Sequence, residues 1–298
     1  MRVPQPDISV VITTYERPVQ LAGVLRALRA QDYPKACFEV IVVDDGGSQP
    51  LDAVIQPFAQ ELQVRLIRQG NAGPAEGRNA GVARARGRWI AFTDDDCEPR
   101  PDWLSTLKSA AENHPGFVLG GRTVCGLNSH LCSRASQLIQ DAVYEFFNAV
   151  PEDARFFATN NMLLPAEQFR EIGGFDRRFR IASEDRDLCD RWRNMGWRMA
   201  YVPEAVAFHS HKLSLSDFVR QHFQYGRGAA RFHRERIRRA SSRLRDHTGF
   251  HNRWPVWLFR PWREKPGFQA IILILLLLIW QTANAAGFFY GCLFDRTG

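Results

Sequence analysis

The sequence contains no Cys-x-x-Cys pair, and its six cysteines, at 37, 97, 125, 132, 189 and 292, follow no regular spacing. A zinc site and a disulfide framework are both unsupported, and a reducing cytoplasmic setting is the expectation. Two phosphate-binding signatures are also missing. Neither GxGxxG nor GxxxxGK[ST] occurs, although the stretch 70–81 is glycine-rich, so dinucleotide binding and P-loop hydrolysis lose support. The first apolar run leads into Thr13-Thr14-Tyr15-Glu16-Arg17, where a haloacid-dehalogenase phosphatase would need DxDx[TV]. No signal peptide is expected, because residues 1–7 are polar and the apolar stretch 8–13 is only strand-length. Residues 268–294 lack charge altogether.

What is present argues for a folded chain. Of 298 residues, 45% are hydrophobic and 24% charged, which excludes disorder and a collagen-like structure. The net charge of +7 is concentrated late: residues 213–266 hold 13 Lys+Arg against 4 Asp+Glu, a local +9 that leaves −2 for the rest. Nucleic-acid binding by the whole chain is therefore not implied. The uncharged segment 268–294 has room for the roughly 20 apolar residues of a bilayer crossing. Its Ile/Leu-rich run is 270–280, and Gln281, Thr282 and Asn284 weaken the second half. A single crossing is expected, with a buried helix or a one-leaflet hairpin as the alternatives. Trp254, Trp257 and Trp262, interleaved with Arg253, Arg260 and Arg263, read as an interfacial belt whose basic excess keeps the bulk of the chain cytoplasmic. Residues 214–245 read as a helix with nine arginines, suited to anionic lipid headgroups or to a lipid-linked diphosphate acceptor.

Before that segment the chain alternates strand and helix patterns. Strands are expected at 8–13, 38–43, 64–67 and 89–93, and helices from Pro18, over 50–62 and over 74–85. This alternation predicts an α/β domain with a largely parallel sheet, three layers deep. Ligands of such sheets sit beyond the carboxyl ends of the strands. At two such ends the sequence places acids: Val42-Val43 runs into Asp44-Asp45, and Phe92-Thr93 into Asp94-Asp95-Asp96. Three adjacent carboxylates repel one another, and a turn does not require three. A hard dication such as Mg²⁺ or Mn²⁺ would resolve the repulsion and could bridge a phosphate-bearing substrate. The plainer alternative is a solvated acidic turn that caps the helix after Pro101.

Thr13-Thr14-Tyr15-Glu16-Arg17, Val42-Val43-Asp44-Asp45-Gly46, Gly77-Arg78-Asn79-Ala80-Gly81 and Thr93-Asp94-Asp95-Asp96 occur in this order. They are followed by Gly173-Gly174-Phe175-Asp176 and Glu184-Asp185-Arg186-Asp187-Leu188. Over roughly residues 7–230 the set resembles the family 2 glycosyltransferases. The resemblance implies a GT-A fold, a Rossmann-like nucleotide-binding sheet flanked by helices, and inverting transfer of a sugar from a nucleoside diphosphate sugar to a hydroxyl of a glycan or lipid-linked acceptor. It implies that Thr13, Tyr15, Arg17, Asp45, Arg78, Asp94 and Asp95 hold the nucleotide sugar, that Asp96 ligates Mn²⁺ or Mg²⁺, and that Asp185, beside Glu184, is the general base. Cys97 departs from the pattern, since many members carry another acid there.

The chemistry suits these groups. A cation stabilises charge on a departing diphosphate, and a carboxylate within hydrogen-bond reach takes the proton of the attacking hydroxyl. Glu184-Asp185 could equally be the acidic first turn of a helix over 186–195. His209, with His211 in reserve, is the expected histidine ligand, although His-x-His is more often a surface or supporting pair. Asn160 and Asn161 are candidates for binding the acceptor sugar or for making a turn. The expected division is a catalytic domain over 1–212, a basic helical and interfacial segment over 213–266, and a membrane-inserted helix over 267–294. The resulting picture is an enzyme at the inner or plasma membrane, single-pass or peripheral, in polysaccharide or glycolipid assembly. A sugar-nucleotide nucleotidyltransferase would want a Gly-rich basic signature after the first strand, which is missing. A non-catalytic membrane adaptor would be marked by loss of Asp96 or Asp185, and both are present.

Overall fold

The computed structural model describes residues 5–127, 130–239, 250 and 253–295. The chain divides into two compact units, one of residues 1–124, 150–180 and 184–210, the other of 125–149, 181–183 and 211–298. Segment 125–149, expected within the catalytic domain, thus groups with the C-terminal part.

The first unit is built on one eight-stranded sheet. Its strands are β1 (Ile8–Thr14), β2 (Phe38–Asp45), β3 (Val64–Gln69), β4 (Trp89–Thr93), β5 (Cys97–Pro99), β6 (Val118–Cys125), β7 (Asn161–Pro165) and β8 (Met199–His209), in the spatial order β3-β2-β1-β4-β7-β6-β8-β5. The β3-β2-β1-β4 half is parallel. The other half departs from the expected parallel sheet: β7 runs antiparallel to β4 and β6, and β5 antiparallel to β8. Apolar runs reveal strands but not their direction, and β5, at three residues, is too short to leave a pattern.

Helices cover both faces of the parallel half. On one side Leu21, Val24, Leu25 and Leu28 of α1 (Pro18–Arg29) join Val10, Ile12, Val40 and Val42 in the core. The segment 50–62 is helical only in α2 (Asp52–Ile55). On the other face lies α3 (Pro74–Ala83), and here the glycine-rich stretch finds its structural use. A Cβ at Gly77 would come within 2.8 Å of Thr13 Cγ2, and one at Gly81 within 2.4 Å of Val11 Cγ1. Spaced one helical turn apart, the two glycines let α3 press against β1. The unit is completed by α4 (Trp103–Asn113), α6 (Ala166–Glu171) and α7 (Glu184–Asn194).

The second unit holds α5 (Leu131–Phe147), α8 (Leu215–Arg238), α9 (Trp254–Leu258), α10 (Arg260–Glu264) and α11 (Phe268–Phe294). The expected extension of α8 to Arg245 lies outside the described residues, as does the side chain of Trp254. Ala135, Ile139, Phe218, Leu258, Leu273, Leu276 and Leu277 share a core. The second half of α11 runs alongside α8 in the same direction. A Cβ at Gly287 would stand 1.9 Å from the Phe223 carbonyl oxygen, and one at Gly226 2.0 Å from that of Asn284. Small residues therefore set this close approach. The opposite face of α11 leaves Phe268, Ile271, Leu275, Phe289 and Leu293 exposed, and the helix is long and apolar enough to cross a membrane.

Candidate functional site

Parallel pairing brings three loops to one edge of the sheet. Thr14 lies opposite Asp44, and Val11 opposite Phe92, so the segments after β1, β2 and β4 emerge together. Each carries part of the expected set. After β4, Asp94 is half-buried while Asp95 and Asp96 are buried. Their mutual repulsion is met by two arginines and a histidine.

Arg17 Nη1 bonds Asp95 Oδ1 at 3.2 Å and Asp96 Oδ2 at 3.0 Å. Arg78 Nη2 bonds Asp94 Oδ1 at 2.8 Å, and its Nη1 bonds Glu184 Oε1 at 2.7 Å. His209 Nε2 stands 3.3 Å from Asp96 Oδ1. The histidine arrives there through strand pairing, because β5 and β8 set Cys97 opposite His209. Burial opposes a charged His209 ring, yet the Asp96 carboxylate more than offsets this and lifts its pKa above the ordinary value. Asp95 is pushed up to about 6 by burial, against the pull of Arg17 and of the Thr14 hydroxyl, which donates to Asp95 Oδ2 at 2.7 Å.

The donor set fits a hard dication. Ligand atoms of Asp94, Asp96 and Cys97 lie within 4.8 Å of one another, and carboxylate oxygen with imidazole nitrogen suits Mg²⁺ or Mn²⁺. Burial, reinforced by the neighbouring carboxylates, pushes the Cys97 thiol far up, and a hard dication prefers oxygen to sulfur, so Cys97 is a poor ligand. Asp96, with Asp94 of the same group and with His209 against its Oδ1, could hold the ion. His211 falls in the second unit, where its carbonyl accepts from Ser133 Oγ at 2.7 Å.

Glu184 and Asp185 open α7, directly after Ser183, a non-glycine residue at φ 75°. Such backbone is costly outside glycine and accumulates at functional sites. Glu184 is buried against Arg78. Asp185 is half-buried and accepts the Arg186 N–H at 2.7 Å. Burial, then the adjacent Glu184 charge, raises its pKa well above the usual carboxylate range. A carboxylate held in this way is suited to accept a proton near neutral pH.

The remaining expected residues separate by environment. Tyr15 is exposed and Thr13 half-buried. Asp45 is engaged by its own surroundings: Oδ1 accepts from Gln69 Nε2 and the Ala72 N–H, and Oδ2 from the Gly73 N–H, at 2.7, 3.0 and 2.9 Å. It thereby shapes the 70–73 loop. Arg78 is buried between two acids rather than presented to a ligand. Asn160 accepts from Thr123 Oγ1 at 3.2 Å.

Asn161 does not fit the acceptor role expected from the sequence. It is 0% exposed, it accepts from Trp103 Nε1 at 2.8 Å, and its amide donates to the carbonyls of Arg122 and Ala205 at 3.2 and 2.9 Å. Its side chain ties together the core beneath the site. Asn161→Ala is expected to cost about 2–4 kcal/mol of stability by orphaning these buried groups, read as a lower urea midpoint. A variant of native stability with weakened acceptor binding would restore the acceptor role.

One contributor escaped sequence reasoning. Asn79 donates to the Phe175 carbonyl at 2.8 Å and accepts its N–H at 2.9 Å. It thereby brackets the Gly173-Gly174 turn, where Gly174 has φ 70°, and joins two of the motifs. Two residues 96 positions apart offer no local signal of such a pair.

Comparison with known proteins agrees with this architecture. A mannosyltransferase from Pyrobaculum calidifontis, solved with GDP-Man and Mn²⁺, superposes with a TM-score of 0.68 at 16% identity, over 99% of this chain and 89% of that one. The pre-mycofactocin glycosyltransferase of Mycobacterium tuberculosis is 28% identical over 249 residues, 75% of this chain but 47% of its own. The chain thus spans about half the length of that relative. A glucosyl-dolichyl phosphate glucuronosyltransferase of Haloferax volcanii is 26% identical over 219 residues, 68% of each chain. Residues 9–181, more than half of the chain, match the sequence profile of glycosyl transferase family 2, and the chain belongs to that family.

Proposed function

We propose that the protein transfers a sugar from a nucleoside diphosphate sugar to a hydroxyl of a glycan or lipid-linked acceptor, with inversion at the anomeric carbon. The observation that carries this reading is the buried Arg78 guanidinium, bonded at one end to Asp94 of the acidic cluster and at the other to Glu184, the neighbour of Asp185. It links the donor-binding carboxylates to the proposed base. Asp94, Asp96 and His209 would hold Mn²⁺ or Mg²⁺, which when bound supplies positive charge beside the diphosphate. Support for the ion comes from the Mn²⁺ in the mannosyltransferase complex.

Asp185 removes the proton of the acceptor hydroxyl as that oxygen attacks the anomeric carbon. The bond from sugar to diphosphate breaks on the opposite face, and Arg17 stands beside the acidic cluster to meet the departing negative charge. With a single base and in-line displacement, the anomeric configuration inverts. Glu184 stays ion-paired to Arg78 and fixes the first turn of α7. A lipid-linked acceptor is supported by the dolichyl phosphate substrate in the name of the Haloferax volcanii relative. The exposed apolar face of α11, with Arg253, Arg260 and Arg263 nearby in sequence, supports attachment to an anionic membrane, by crossing it or by lying in its surface.

The reading is tested by thermal melting with UDP, GDP and their sugars, with and without Mn²⁺. A cognate nucleotide at a hundred times its Kd is expected to raise Tm by about 5–10 °C, and only when Mn²⁺ is present. No shift from any nucleoside diphosphate under either condition would sink the proposal.

A further inference from the structure

We infer that Arg17 is the resident counter-cation of the acidic cluster, and that metal and nucleoside diphosphate bind cooperatively because the diphosphate draws Arg17 away from Asp96. This rests on the reading above and adds a regulatory role for one residue.

Two arginines neutralise the three carboxylates, and they are built differently. The Arg78 side chain is 7% exposed, and each of its two terminal nitrogens is bonded to a buried or half-buried acid. It is a fixed strut. The Arg17 side chain is 41% exposed. It bonds both Asp95 and Asp96 through the single nitrogen Nη1, while Nε and Nη2 have no hydrogen-bond partner among the described residues. The position explains the geometry. Arg17 precedes Pro18, which bars it from the helical conformation, and at φ −130°, ψ 56° it sits outside α1. Its guanidinium therefore reaches the cluster from a loop, with one edge open. A planar fork with unpaired N–H groups is matched to two oxygens of one phosphate.

The same nitrogen obstructs the metal. Asp96 Oδ2 accepts from Arg17 while Oδ1 faces His209, so an arriving dication must compete for Asp96 against a charge already in place. A dication and the Arg17 guanidinium sharing one carboxylate repel each other, and burial weakens the screening between them. A diphosphate changes this balance by offering Arg17 another anion. Removal of Arg17 from the carboxylates then frees Asp96 and lowers the repulsion. By linkage, the factor by which nucleotide tightens metal binding equals the factor by which metal tightens nucleotide binding.

The test is an electron paramagnetic resonance titration of Mn²⁺ on the full chain, alone and with UDP or GDP. Wild-type protein is expected to bind Mn²⁺ weakly alone and at least about tenfold more tightly with the cognate nucleotide. Arg17→Gln is expected to bind Mn²⁺ about tenfold more tightly than wild type in the absence of nucleotide, with the nucleotide enhancement reduced by the same factor and the remainder due to direct attraction between ion and diphosphate. Arg17→Lys, which keeps the charge, is expected to remain within about threefold of wild type without nucleotide. Unchanged or weaker nucleotide-free Mn²⁺ binding by Arg17→Gln would overturn the inference, as would tight binding by Arg17→Lys, since side-chain bulk and not charge would then be responsible. Absence of Mn²⁺ binding by every protein under every condition would instead remove the metal site, and the inference with it.

Discussion

Asp185→Asn is expected to lower the rate of sugar transfer about a thousandfold, within the usual range for loss of a general base, while leaving donor binding nearly intact. The substitution is close to isosteric and keeps an oxygen to accept the Arg186 N–H, so α7 should retain its first turn. What it removes is the ability to take a proton. The pH profile supplies an independent reading. The base must be ionised, so activity falls as pH drops through its pKa. Burial and the Glu184 charge raise that pKa, so the acid limb should lie above the range of an ordinary aspartate, near 3.9. The limb should vanish in Asp185→Asn. Turnover at the wild-type rate, or an unaltered acid limb in the variant, would assign proton removal to another group.

Asp96→Asn is the second large effect. Asp96 is the one carboxylate of the cluster that faces both Arg17 and His209, and it belongs to the group of atoms able to share an ion. Its neutralisation is expected to abolish Mn²⁺-dependent stabilisation by nucleotide and to reduce transfer at least about a thousandfold, in line with loss of transition-state charge stabilisation. The ligand-free fold should be little affected. Repulsion among Asp94, Asp95 and Asp96 is relieved as the ion pairs of Asp96 with the half-exposed Arg17 and with His209 are lost. Since such pairs contribute about 0–1 kcal/mol, Tm should move by no more than about 2–4 °C. Undiminished Mn²⁺ dependence in this variant would remove Asp96 from the metal site.

How far the site was legible in the sequence depends on the distance between partners. The strand ends at Asp44-Asp45 and at Asp94-Asp95-Asp96 follow from apolar runs that stop in acid, and both occupy the carboxyl edge as expected. The sequence resemblance singled out Glu184-Asp185, which indeed open a helix. By contrast, Asn161 was expected to bind the acceptor sugar or to make a turn, and it is fully buried. Its burial follows from β7 taking an interior position between β4 and β6, which no local pattern encodes. The glycines of 70–81 match no phosphate-binding signature, and close packing of α3 on β1 gives Gly77 and Gly81 their purpose.

Hydrophobic periodicity and turn residues act over a few positions, so the sequence by itself determined β1 to β4, α1 and α3, and which of those strand ends carry carboxylates. Whether those carboxylates meet a partner was decided only by the tertiary structure. Arg78 and Glu184 are 106 residues apart, as are no two groups that a local pattern can relate, and the same holds for Arg17 and Asp96 at 79. Such pairs form where the packing of helices and loops against the sheet brings distant backbones together, because burial makes an unpaired charge costly.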